Sequence, residues 1–183
     1  MGFEDQMAKQ SAKPRPLRNV VHEDWKLRKA SDYLEFDIHS FAGGLKIHFS
    51  RRGTEVGNAA LDSLLMRARL LMDFFFRDSG QPDDVIALDF FHDFIPKPYK
   101  PRMTKTMSRE REKINKRLVH LTTQPMPRLR SNQRYAVNKF APQIVTAFRR
   151  WLSVVPDSRL QKPANRTRET YERHLQRIEQ LFP

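Results

Sequence analysis

The sequence predicts an all-α fold: a four- to five-helix bundle with a proline-rich basic loop before the third long helix. Three observations carry that expectation. Apolar residues recur at steps of three and four through most of the chain, the period of a helix with one buried face. Proline and glycine gather in short clusters that cut the chain into helix-length pieces. The 183 residues are 39% hydrophobic and 10% aromatic, enough for a core, and contain no cysteine to staple it.

Taken in order, residues 1–20 read as a flexible basic tail with Pro14 and Pro16 and few large apolar side chains. A single helical domain is expected over 21–183. Ala30, Leu34, Ile38, Phe41, Leu45 and Phe49 keep helical steps and predict one long helix over 24–50. The same stretch also alternates around Gly43 and Gly44, which leaves a hairpin over 33–50 as the competing reading. A second helix over 56–77 presents Leu61, Leu64, Leu65, Ala68, Leu71, Met72 and Phe75 on one face, with Asp62, Arg69 and Asp73 together on another. Asp83 and Asp84 read as an N-cap for a short helical piece ending near Phe91. Pro96, Pro98 and Pro101 then forbid regular structure and predict an extended loop. A third helix is expected from Thr104 or Ser108 to Leu121. A fourth spans 131–155, with a kink or late start at Pro142, and a last one spans 165–181.

The charge is local. Residues 97–150 hold 15 basic and only 2 acidic side chains, and so account for a net charge equal to the whole chain's +13. Such a segment is the footprint of a polyanion partner, with RNA or DNA favoured over a membrane because prolines interrupt it. Lys97, Tyr99, Lys100, Arg102, Lys105, Arg109, Lys113 and Arg117 are the residues expected to bind nucleic acid, Tyr99 by stacking. An acidic protein is the alternative partner for the same segment.

Several function classes find no support. There is no glycine-rich phosphate loop, no nucleophile elbow and no helix with two histidines four apart. Asp83, Asp84, Asp89, His92 and Asp93 cluster loosely, but capping and solvation account for them, so no metal and no cofactor is expected. No apolar run approaches a membrane span and the acidic start is no signal peptide, so a cytoplasmic location and no membrane partner are expected.

The stretch Ile114-Asn115-Lys116-Arg117-Leu118-Val119-His120 puts a histidine near the end of a basic helix. It resembles the ribonuclease-type motif of the HEPN superfamily, small all-α bundles in which an arginine, a polar residue and a later histidine recur. Asn115, Lys116 and His120 match the form Arg-Asn-Lys-x-x-Ala-His, whereas Ile114 stands at the arginine position. The resemblance implies an RNA-binding protein and, where the site is complete, a metal-independent endoribonuclease of a toxin or defence system. It makes His120, Asn115 and Lys116 the catalytic candidates and implies a homodimer. Helical spacing puts Lys113 and Lys116 on the His120 side, and Lys113, Lys116, Arg109, Arg111, Arg117 or Arg69 are candidates to replace the missing arginine. A binding-only bundle, with Ile114 marking lost chemistry, or a protein-interaction bundle, is the alternative.

Overall fold

The computed structural model describes residues 21–78, 81, 83–91, 101–123 and 135–182, with backbone alone for 119–123. It holds five α-helices and no strand among these residues: α1 (Asp24–Ser50), α2 (Glu55–Phe76), α3 (Lys105–Thr123), α4 (Val137–Leu152) and α5 (Ala164–Glu179). The expected all-α bundle is therefore observed. The expected tail (1–20), most of the proline loop, and His92 and Asp93 lie outside the described residues.

The helix reading of 33–50 holds and the hairpin does not form. Seven side chains of α1, from Leu27 to Leu45, are buried on a helical stripe. Gly44 lets α2 approach, since a Cβ there would stand 3.2 Å from the Leu64 Cβ. The turn into α2 depends on Thr54, whose hydroxyl accepts from the Gly57 N–H at 3.1 Å. Gly57 is required at that turn, because a Cβ would come within 2.0 Å of the Arg51 carbonyl oxygen.

Cross-contacts give the topology. Arg67–Asp37 at 2.6 Å and the Gly44–Leu64 approach make α1 and α2 antiparallel. The Thr104 hydroxyl donates to Gln143 and the Ala136 N–H to Glu110, so α3 and α4 are antiparallel too. Arg168 of α5 caps the end of α4 through the Leu152 and Val155 carbonyls. Tyr171 donates to the Ser31 carbonyl, His39 meets His174 and Phe49 meets Phe182, so α5 runs parallel to α1 and closes the ring.

The core centres on edge-to-face aromatics. Trp151 stands 5.1 Å from Phe90 and 5.7 Å from both Phe74 and Phe148, and Phe148 stands 5.0 Å from Tyr171. Phe90 comes from a single 3-10 turn, Ala87–Phe90, shorter than the expected piece from Asp83. The Asp89 carboxylate, not Asp83 or Asp84, holds this turn, accepting from the Ile86 N–H at 2.8 Å while lying 3.4 Å from buried His22. Pro142 lies inside α4 without ending it, and the residue four before it, whose carbonyl a Pro142 N–H would have met, is exposed Asn138.

Candidate nucleic-acid interface

Thr104 starts α3 as a cap, its hydroxyl accepting from the Met107 N–H at 3.2 Å. From there Met107, Glu110, Ile114 and Leu118 follow at steps of three and four and turn inward. Glu110 is only 4% exposed, yet it is satisfied. It accepts from the Ala136 N–H at 3.0 Å, at the start of α4 where a negative charge is favourable, and from Lys113 at 2.6 Å.

Two arginines fasten α3 to α2. Arg111 meets Asp73 through Nε at 2.7 Å and Nη2 at 2.5 Å, and Arg117 pairs with Asp62. These are the carboxylates that α2 carries on its second face. Arg69 is the weaker partner of Asp73, at 3.8 Å. Arg117 also stands 5.7 Å over the Tyr135 ring, and burial pushes the Tyr135 hydroxyl above its ordinary range. The Asn115 Oδ1 and Tyr135 hydroxyl have no hydrogen-bond partner among the described residues.

The outward side differs. Lys105, Arg109 and Lys116 are exposed and make no ion pair among the described residues, and exposed Arg102 precedes them. At ~100° per residue, Lys105, Arg109, Lys113, Lys116 and the His120 position form one stripe along α3, about 22 Å long, with exposed Glu112 its one acidic member. Lys113 is on that stripe but shares its charge with Glu110. Arg117 sits beside it with its side chain only 12% exposed, turned toward Asp62.

The expected catalytic trio is spread around the helix. Lys116 is exposed and shares the His120 side. The Asn115 position lies about 140° around the helix from the His120 position, and Asn115 is half-buried. Ile114, at the arginine position of the resemblance, is fully buried. The His120 side chain, and Lys97, Tyr99 and Lys100, lie outside the described residues. One cation escaped the sequence reading as a site residue. Lys139 is exposed in the first turn of α4, one turn before the Gln143 that meets Thr104, on the helix that packs beside α3. Only the α3/α4 pairing reveals that neighbourhood.

Among the described residues, no three His, Asp or Glu side chains gather as metal ligands, and no helix is long and apolar enough to cross a membrane. Fold and site together define an all-α bundle with one helix basic on its outer side. No protein-family model matches the chain, and no curated protein or solved structure matches it either.

Proposed function

We propose that this protein binds RNA, gripping phosphates with the outer side of α3. One observation carries the reading: α3 separates its cations by role. Arg111 and Arg117 are held by Asp73 and Asp62, while Arg102, Lys105, Arg109 and Lys116 stay exposed without an ion pair among the described residues. A helix that needed its charge only for docking would have no use for the second set. Lys105 and Arg109 stand one turn apart and Lys116 two turns further along, a row ~16 Å long that suits a chain of phosphates better than a single anion. The test is RNA affinity as a function of salt. Replacing Lys105, Arg109 and Lys116 by alanine is expected to weaken binding at every sequence tried and to reduce the salt slope by about 2–3. A slope unchanged by the triple substitution would remove this reading.

The second reading adds catalysis and rests on the HEPN resemblance. The observation favouring it is the position of Lys116, one turn before His120 on the same side of α3. In that reading His120 takes the proton of a ribose 2′-hydroxyl as its oxygen attacks phosphorus. The imidazolium so formed returns its proton, directly or through water, to the leaving 5′-oxygen, a 2′,3′-cyclic phosphate remains, and Lys116 stabilises the phosphoryl oxygens. RNA cleavage in the presence of EDTA that disappears in His120→Ala supports it; binding without cleavage leaves the first reading alone.

A further inference from the structure

The side of α1 facing away from the core carries a pattern that RNA binding does not use. Trp25, Lys29, Asp32 and Phe36 follow at steps of four, three and four, so they share one side of the helix. All four are exposed, Trp25 by 55% and Phe36 by 56%. Tyr33 lies beside them at 60%, and Leu70 of α2 extends the patch. Among the described residues, every exposed large hydrophobic side chain is on α1, on α2 or at Val21 just before α1. Within that set Tyr33, Phe36 and Leu70 line one surface depression and Trp25 shares the Phe36 side of α1, which marks an interaction surface rather than scattered exposure.

We propose that this face binds a second copy of the chain, with the two α1 helices antiparallel about a twofold axis that crosses between Lys29 and Asp32. The order aromatic, lysine, aspartate, aromatic is self-complementary only in that arrangement. It sets Trp25 of one copy against Phe36 of the other, and Lys29 of one against Asp32 of the other, twice by symmetry. A parallel arrangement would set Lys29 against Lys29. Charge favours the same face: Lys29 and Asp32 cancel there, so two copies meet without the repulsion that the α3 side imposes. Stacked RNA bases suit the aromatics, but Asp32 and Glu35 beside them repel phosphate, and Arg67, 4.9 Å over the Phe36 ring, is already answered by Asp37.

The experiment measures the mass of the full chain in solution over a dilution series, by light scattering or sedimentation. The native chain is expected to dimerise and Phe36→Glu to be monomeric. Lys29→Asp and Asp32→Lys are each expected to raise the dimer dissociation constant about tenfold or more, because each change occurs twice per dimer, and the double exchange to restore most of the affinity. All three positions are exposed, so thermal unfolding of each variant serves as the folding control. The proposal is overturned by a native chain that stays monomeric, by a dimer indifferent to Phe36→Glu, or by a double exchange no tighter than the single ones. Loss of RNA affinity in Phe36→Glu at unchanged mass would instead assign the face to RNA. The mass readout does not depend on whether α3 binds RNA.

Discussion

Along the α2/α3 seam, Asp62 and Asp73 each meet an arginine of α3, whereas along the α1/α5 seam Tyr171 meets the Ser31 carbonyl, His39 meets His174 and Phe49 meets Phe182. One seam is closed by opposite charges, the other by neutral contacts. Both flank one core, so the difference reflects what each helix must do on its outer side. A strongly basic α3 has to be held against α2 without giving up its outward cations, and arginines at its edges allow that. The α1/α5 seam faces no such demand, and it buries the His174 imidazole against His39 instead.

The largest expected effect comes from forcing charge into the inner stripe of α3. Ile114→Arg restores the arginine of the HEPN-type motif, but Ile114 is fully buried, and the inward carboxylate one turn before it, Glu110, is already taken by Lys113 and the Ala136 N–H. A cost of ~3–5 kcal/mol is expected, read as a large fall in the urea midpoint, with no gain of RNA cleavage. A variant of near-native stability would show that the inner side of α3 yields far more easily than its packing suggests.

A smaller, pH-dependent effect belongs to the α1/α5 seam. Burial, then neighbouring His39, Arg177 and Arg173, lower the His174 pKa to about 4. The unfolded chain takes up this proton near the ordinary value of 6.5, the folded chain only near 4. Stability is therefore full above ~6.5 and falls as the pH drops toward ~4, by on the order of 2 kcal/mol. His174→Phe is expected to flatten that part of the stability–pH curve. An unchanged slope between those pH values would assign the acid sensitivity elsewhere.

How far the sequence could be read follows from the same contrast. Helical steps marked α1, α2 and α5 closely because their buried stripes are long and uninterrupted, and Leu27–Leu45 overrode the local alternation that suggested a hairpin. The 3-10 turn at Ala87–Phe90 was legible only as something short, since its hold comes from Asp89 and distant His22. For the candidate interface, charge density located α3 but could not separate its cations by role. Arg111 and Arg117 look like Lys105 and Arg109 in composition, and only the positions of Asp73 and Asp62 across the seam divide them. Lys139 comes to the neighbouring helix through an α3/α4 pairing that no local pattern encodes.

The smallest expected effect is the one that tests this division directly. The Asp62–Arg117 pair joins a carboxylate whose side chain is 38% exposed to an arginine that is 12% exposed, so water and salt screen part of the attraction. A double-mutant cycle with Asp62→Ala and Arg117→Ala is expected to give a coupling of ~0.5–1 kcal/mol that shrinks as salt rises. In RNA binding the order reverses. Arg117→Ala should leave the salt slope nearly unchanged, because its charge is already answered by Asp62, while Lys116→Ala, on the adjacent residue, should lower the slope by about 1. Neighbouring cations on one helix would then differ in what they hold: Arg117 the bundle, Lys116 the ligand. Equal losses of slope from both substitutions would mean that Arg117 leaves Asp62 when RNA arrives, and the clamp would have to be counted as part of the binding surface.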